Sequence, residues 1–369
     1  MGPPPAVAGV RRAVRRGLDG LTPGDLVLAA CSGGADSLAL AAALAHEAPR
    51  QGLRAGGVTV DHGLQPGSAQ RAAAVAALLA GLGLDPVEAV PVHVAAGPAA
   101  GGPEAAARSA RYQALDEVAR RTGARAVLLG HSLDDQAETV LLGLARGSGP
   151  RSLCGMPARR GLYRRPLLGV SRATLRAACD AAGLPPWDDP HNADPAFARA
   201  RVRHQALPAL EAALGPGIAQ ALARTAGQLR SDTEALDELA ASQAPLMRDP
   251  GGAWRPDALR AAHSAIRTRV LRMAAIEAGC PPGKVTARHI GALDALVIGG
   301  HGQRWTTLPG GVRAMLRCDR LIFTAGADHT RARQPGNGPG DRLARRETGQ
   351  DRRNGRPGPD EAEVMVGRD

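Results

Sequence analysis

Aromatic side chains are scarce in this chain: three Trp, two Tyr and two Phe among 369 residues. Its interior must therefore be built from Leu, Val and Ala. Five cysteines (Cys31, Cys154, Cys179, Cys280 and Cys318) are scattered, odd in number and never spaced Cys-x-x-Cys. That pattern argues against a disulfide framework, a zinc ribbon or a thiol-held iron–sulfur cluster, and suits a reducing cytoplasm. No apolar run approaches the roughly 18 residues that a membrane span needs. Residues 1–16 carry Pro and Arg but lack the apolar stretch and cleavage site of a secretory signal. Lysine is nearly absent, Lys284 being the only one, and no internal repeat is present.

What the chain does have is arginine. The formal net charge is +11. From Arg331 onward nine Arg face seven Asp or Glu, so most of the excess lies in the part expected to fold. A basic folded body fits a phosphate-rich partner, because cation contacts release condensed counterions. The accompanying wealth of Ala, Gly and Pro fits GC-rich coding equally well, so charge alone only suggests nucleic acid. Hydrophobic residues make up 44% of the chain, enough for a sizeable core. At about 100–200 residues per domain the length predicts two folded domains.

The N-terminal half alternates short strand-like runs (25–31, 55–60, 87–94 and 125–130) with Ala/Leu-rich helical stretches. That alternation predicts βαβ units and a parallel sheet with helices on both faces. Residues 94–103, rich in Ala, Gly and Pro, read as a flexible loop. From about Gly215 the pattern changes to helical periodicity at 218–243, 256–279 and 286–298. Strands at 304–308 and 312–323 then flank a Leu-Pro-Gly-Gly turn. The predicted layout is an N-terminal extension (1–23), an α/β domain (24–214), a smaller, mainly helical domain with a short hairpin (215–325) and a tail (326–369). The tail has no apolar periodicity and is expected to be disordered.

Three polar clusters fall at the carboxyl ends of the predicted strands, where ligands bind on such sheets. The first is Ser32-Gly33-Gly34-Ala35-Asp36-Ser37, between a strand and a helical run. Two glycines permit a tight turn that aims several N–H groups at one anion, and the helix N-terminus and the two hydroxyls add to it. No Gly-Lys-Ser/Thr follows, so it is not a Walker A loop. Asp36 would repel a phosphate unless it held a metal ion or capped the helix; an ordinary strand-to-helix turn could carry the same cap. The second cluster, Val58 to Leu64, ends the next strand with Asp61-His62-Gly63, a tripeptide that more often makes a turn than a site. The third runs Gly130-His131-Ser132-Leu133-Asp134-Asp135-Gln136-Ala137-Glu138-Thr139 and opens a helix. Helical spacing puts Leu133, Ala137, Val140, Leu141 and Leu144 on the core face and gathers Asp134, Asp135 and Glu138 on the other side. Acids are favoured in any first helical turn. Beside a phosphate loop, three of them could instead hold Mg²⁺ or an ammonium group. Arg108 and Arg111 share a helical face in the Glu104–Tyr112 segment and could neutralise phosphate charge, or simply be solvated.

These blocks, with Leu-Ala-Arg-Gly-Ser-Gly at 144–149, Arg165-Pro166-Leu167-Leu168, and Asp188-Asp189-Pro190-His191-Asn192 trailed by Arg199, Arg201 and Arg203, occur in the order and spacing of tRNA(Ile)-lysidine synthetases. Over residues 24–325 the chain resembles that family of the PP-loop ATP-pyrophosphatase superfamily. Ser32–Ser37 matches the superfamily's SGGxDS loop, and the acidic helix is the family's more specific mark. The resemblance implies a parallel-sheet PP-loop domain of the adenine nucleotide alpha hydrolase type, Rossmann-like, before the helical domain. It implies that ATP and Mg²⁺ are used to ligate lysine to carbon-2 of the wobble cytidine in a CAU-anticodon tRNA(Ile). Ser32, Gly33, Gly34, Ala35, Asp36, Ser37, Val60 and His62 would then bind ATP, with Asp36 on the metal. Asp36, Arg108, Arg111, His131 and Asp135 would serve catalysis. Asp134, Asp135 and Glu138 would seat lysine, and Arg199, Arg201 and Arg203, together with the tRNA-binding second domain (215–325), would grip the tRNA backbone. Three positions depart from the family pattern: Ser132 replaces a second His, His191 a Ser, and Ala200 an Asn. Rival readings are a tRNA thiolase, disfavoured without Cys-x-x-Cys, a small-molecule amidating ligase such as an NAD or GMP synthetase, and a non-catalytic RNA- or nucleotide-binding module.

Overall fold

A computed structural model describes residues 2–63, 65–92, 103–147, 149–299 and 305–325. Residues up to Ala325 form one compact unit. The expected loop at 94–103 lies outside the described residues except for Pro103, which opens a helix, and the expected tail at 326–369 lies outside them entirely.

The central sheet grows from four short runs, the two central ones almost fully buried. Strands β1 (Leu26–Ala30), β2 (Arg54–Asp61), β3 (Val87–Pro91) and β4 (Ala126–Leu129) are parallel. Leu26, Val27, Leu28 and Ala29 of β1 are at most 3% exposed, as expected of a strand covered on both faces. Two two-residue strands, β5 (Arg159–Arg160) and β6 (Tyr163–Arg164), complete the order β3-β2-β1-β4-β6-β5, with β5 antiparallel. Sequence reading missed both, since two residues carry no periodicity. The chain fills one side of β1 with β2 and β3, then crosses back to lay β4 on the other. The crevice beyond the carboxyl ends of β1 and β4 is therefore the topological switch point where open α/β sheets bind ligands.

Helices α2 (Ala35–Glu47), α3 (Ser68–Gly81), α4 (Pro103–Thr122) and α5 (Leu133–Ala145) follow the four strands, and α7 (Arg172–Ala181) comes after the short α6 (Pro150–Leu153). The segment expected to be an extension contains α1 (Pro5–Gly17), which is part of the core. Val10, Ala13, Val14 and Leu18 are buried against α2 and α7, each large side chain contributing about 1.5–3 kcal/mol. Arg15 donates to both oxygens of the buried Glu47 at 2.7 and 3.1 Å, tying α1 to the end of α2.

After α8 (Ala198–Arg201), a single π turn at 202–206 and α9 (Leu207–Leu214), the 26-residue α10 (Ile218–Gln243) has the bounds that the periodicity predicts. It packs on α5 and α6 at one end and on α12 at the other. The helix expected over 256–279 is broken at Ala262–His263 into α11 (Pro256–Ala261) and α12 (Ser264–Glu277). His263 caps α12 by accepting the Ala265 N–H. Helix α13 (Ala287–Ile298) precedes an antiparallel sheet of β7 (Trp305–Thr307), β8 (Val312–Arg317) and β9 (Arg320–Ala325). The single strand expected over 312–323 is thus two. The chain reverses at Cys318 and Asp319, both at positive φ (48° and 52°), the geometry of a two-residue hairpin turn. Without glycine there, the sequence gives no turn signal.

Candidate functional site

The phosphate-type loop leaves β1 at Cys31 and enters α2 with Gly34 as N-cap. Gly33 has φ +85°, a conformation that L side chains rarely adopt. The loop is held by its own side chains. Ser37 Oγ accepts the Ser32 N–H (3.1 Å) and donates to the Gly34 carbonyl (2.9 Å). The Trp187 N–H donates to the Gly33 carbonyl, bringing the segment before Asp188-Asp189 beside the loop. Ser37 is therefore committed to the loop's own frame. The first N–H groups of α2 lack intrahelical acceptors, as at every helix N-terminus, and Gly34 adds no bulk above them.

Gly130, at the end of β4, faces the start of α2 closely. A Cβ there would lie 3.0 Å from Ser37 Cα and 3.1 Å from the Asp36 carbonyl. This approach sets the acidic helix next to the phosphate-type loop. Ser132 and Asp135 form a capping box at the start of α5: Asp135 N–H donates to Ser132 Oγ, and Ser132 N–H donates to Asp135 Oδ2 (2.8 Å).

Sequence reading places three free carboxylates on α5, but the structure surrounds them with arginines. Arg172 at the start of α7 donates its backbone N–H to Asp134 (2.7 Å) and its guanidinium to Asp135 (3.1 Å) and Glu138 (3.2 Å). Its Nε lies 3.7 Å from Asp36. Arg203, in the π turn, donates to Glu138 at 2.8 Å and to Asp135 at 3.3 Å. Arg199 lies 3.2 Å from Glu138 and donates to Thr139. Glu138 is fully buried within this cage. Burial opposes ionisation of Asp135, but Arg172 and the Ser132 N–H outweigh it and hold the carboxyl below its usual range. Burial likewise works against the charge on Arg172, yet Asp135, Glu138 and Asp36 raise its pKa. Arg199 and Arg203, expected to face RNA, thus point into the acidic cluster, while Arg201 is exposed and donates to the carbonyls of Pro195 and Ala196. Arg172 belongs to none of the sequence motifs. Its only signal was a serine N-cap before a helical run, which is common.

Asp36 differs from its neighbours. Burial pushes its carboxyl up to about 6 against the pull of Arg172, and its Oδ1 is buried without a protein partner. Among the described residues no group of three His, Cys, Asp or Glu forms a ready metal cage. An orphaned carboxylate oxygen beside a phosphate-type loop suits Mg²⁺, which takes one or two carboxylates and completes its shell with phosphate and water.

A second, cationic cluster gathers around Tyr112. Arg108 and Arg111 of α4 and the buried Arg165 surround Tyr112, whose hydroxyl accepts from Arg165 (3.2 Å) and Arg108 (3.4 Å). Among the described residues, no carboxylate lies within ion-pair reach of these three arginines. Arg111 Nε and Arg165 Nε are buried without partners, and burial lowers the Arg111 pKa. Two imidazoles feel the charge of this cluster. His62, after Val60 at the end of β2, and His131, after β4, both have a buried Nδ1 with no partner. Burial lowers the pKa of His62, with Arg111 adding to it. Burial takes His131 down to about 3 against the pull of Asp135, and Arg165 and Arg111 add to the lowering. Both rings are therefore neutral at pH 7, and His131 in this state is a poor base. Asp61, by contrast, caps its own turn through the Gly63 N–H (2.9 Å). The crevice thus pairs a self-neutralised acidic side with an unneutralised cationic side, as a polyanion bound between them would require.

Comparison with known proteins agrees with this geometry. A PP-loop domain profile matches residues 11–210, and the profile of the TilS substrate binding domain matches residues 257–321. The tRNA(Ile)-lysidine synthase of Thermobifida fusca is 59% identical over 325 residues, covering 88% of this chain and 99% of that protein. That of Streptomyces coelicolor is 55% identical, covering 88% and 100%. Among solved structures, the U34-tRNA thiolase NcsA from Methanococcus maripaludis shares the fold, with a TM-score of 0.50 at 20% identity over 61% of this chain and 79% of that one. With a PP-loop site at the sheet's switch point and full-length relatives at this identity, the chain belongs to the tRNA(Ile)-lysidine synthase family.

Proposed function

We propose that this protein joins lysine to carbon-2 of the wobble cytidine of a CAU-anticodon tRNA(Ile), using ATP. The observation that carries the reading is the split crevice: a loop and arginines free to take polyphosphate lie beside a carboxylate cluster able to take an amine. The carbon-2 oxygen of the cytidine attacks the α-phosphorus of ATP, and pyrophosphate leaves. The ε-amine of lysine then attacks carbon-2 and loses a proton; the bond from carbon-2 to oxygen breaks, and AMP departs with that oxygen.

The N-terminus of α2 and the Gly33–Gly34 turn would bind the pyrophosphate portion. The Nε–H groups of Arg111 and Arg165, buried without a protein partner, would stabilise charge developing during the transfer. Asp36 would hold Mg²⁺, which when bound neutralises phosphate charge. Neutral His131 and His62 can each donate or accept one hydrogen bond without adding charge. Asp134 has one oxygen engaged by the Arg172 N–H, and the other is the readiest acceptor for the α-ammonium of lysine. Asp135 and Glu138, saturated by guanidinium groups, would orient that seat through the arginines, and any direct contact with lysine requires Arg172 or Arg203 to turn away. Arg201 and the region after residue 215 are the candidates for tRNA backbone contact, and a cytoplasmic location suits such a substrate.

The order of steps gives the test. With ATP and a CAU-anticodon transcript but no lysine, pyrophosphate should be released and AMP should become attached to the tRNA. Pyrophosphate release only when lysine is present, with AMP attached to lysine instead, would overturn the reading.

A further inference from the structure

One face of the β7–β8–β9 sheet is accounted for by folding and the other is not. Leu308, Val312, Ala314, Leu316, Leu321 and Phe323 pack into the second core with Trp254, Val270 and Leu293. Strand alternation sends the remaining residues outward. The register lines up Trp305, Met315 and Ile322 in one row across all three strands, and Thr307, Arg313 and Thr324 in the next. Arg317 pairs with Arg320 at the hairpin end. An outward antiparallel face is ordinarily polar, yet this one centres on an apolar row. Trp305 is 48% exposed, and the Arg313 guanidinium lies 4.8 Å from its ring centroid.

The charge on this face has one sign. No carboxylate stands on the outward positions of the three strands. Arg320 is ion-paired with Asp249 at 2.7 Å; among the described residues, neither Arg313 nor Arg317 has a carboxylate in ion-pair reach. An exposed indole with unpaired guanidinium groups around it offers a stacking surface and phosphate contacts together, the combination used to hold unstacked nucleotides. A protein partner that buried Arg313 and Arg317 would have to supply carboxylates, whereas a nucleic acid brings phosphate in any register.

We infer that this face is a tRNA contact, with Trp305 stacking on an unpaired base and Arg313 and Arg317 bound to the adjoining phosphates. The inference rests on the tRNA reading above and adds the surface to it. Residues 305–317 lie far in sequence from the PP-loop motifs and contact none of the catalytic side chains described, so binding and chemistry can be read separately.

The experiment measures the affinity of the full-length protein for a CAU-anticodon transcript across a salt series. Trp305→Ala should weaken binding by about 5- to 150-fold, the range for loss of one stacked base, with the salt slope unchanged. Trp305→Phe should restore most of the affinity. Arg313→Gln should lower the slope of log affinity against log salt by about one. Circular dichroism and thermal unfolding of each variant establish that the sheet is intact. Wild-type affinity in Trp305→Ala, or an equal loss in Trp305→Ala and Trp305→Phe, overturns the inference while leaving the lysidine reading in place. So does concentration-dependent dimerisation of the wild type that Trp305→Ala abolishes. Failure of the wild type to bind any tRNA would overturn the reading beneath it as well.

Discussion

Replacing Glu138 with glutamine probes the arginine cage with little change in shape. The carboxylate is fully buried and accepts from Arg172 at 3.2 Å and from Arg203 at 2.8 and 3.3 Å, with Arg199 at 3.2 Å. Glutamine keeps one acceptor oxygen, loses the charge and turns an NH₂ donor toward guanidinium donors. Breaking a buried ion pair from one side costs about 3–5 kcal/mol. The three arginines retain 21–33% of their side-chain exposure, so water partly solvates them and the lower end, about 3 kcal/mol, applies. Urea unfolding should show that loss, and the Tm should fall by roughly 4–5 °C for a unit that runs to Ala325. KM for lysine should rise in the same variant, since Arg172 and Arg203 would be released toward Asp134 and Asp135. An unchanged unfolding midpoint would refute the claim that Glu138 anchors the cage. A lowered midpoint with unchanged lysine KM would confine its role to folding.

Asp36→Ala should abolish pyrophosphate release while leaving tRNA binding within about twofold, measured by filter binding. Asp36 also makes a signed stability prediction. Its folded pKa of about 6 lies above the ordinary aspartate value of 3.8, so the charged form is disfavoured in the fold and the penalty grows as pH rises through that interval. Asp36→Asn should therefore stabilise the ligand-free protein at pH 7.5 by up to about 3 kcal/mol, and hardly at all near pH 4. A gain at pH 4 equal to that at pH 7.5 would refute it. His131 carries the opposite sign. With a folded pKa of about 3, burying it neutral contributes stability above pH 6.5 that is lost as pH falls toward 3. NMR should show no titration of its ring between pH 5 and 8, and a titration near 6.5 would contradict its burial among arginines. Gly130→Ala should depress pyrophosphate release at least tenfold while costing about 1–3 kcal/mol of stability, because the new methyl meets the backbone of Asp36 and Ser37. Wild-type kinetics in that variant would remove the proposed coupling between β4 and the loop.

The parallel sheet and the long helix were legible because their signals are local. Apolar runs near glycine mark β1, β2 and β4, and 218–243 shows its full period. What escaped was set by tertiary contact. Helix α1 reads as an N-terminal extension because Arg11, Arg12, Arg15 and Arg16 dominate its sequence, while its buried stripe of Val10, Ala13, Val14 and Leu18 is short. The turn at Cys318–Asp319 uses positive φ without glycine. At the site, the loop and acidic helix could be found from their spacing, and the comparisons support the family they suggested. The partners of the acids could not. Arg172, Arg199 and Arg203 come from 34 to 65 residues beyond Glu138, and nothing in their immediate sequence says that they turn inward. A count of charges on α5 therefore suggests an open anionic patch where the fold builds a neutralised one.

Labelled lysine tests most directly whether the crevice between β1 and β4 carries out lysine ligation to a wobble cytidine. With ATP and Mg²⁺, label should enter a CAU-anticodon tRNA(Ile) transcript, and digestion should locate it at the wobble nucleoside. A transcript with that cytidine changed to uridine should remain unlabelled. Label in both transcripts, or in neither while ATP is still cleaved to AMP and pyrophosphate, would contradict the account.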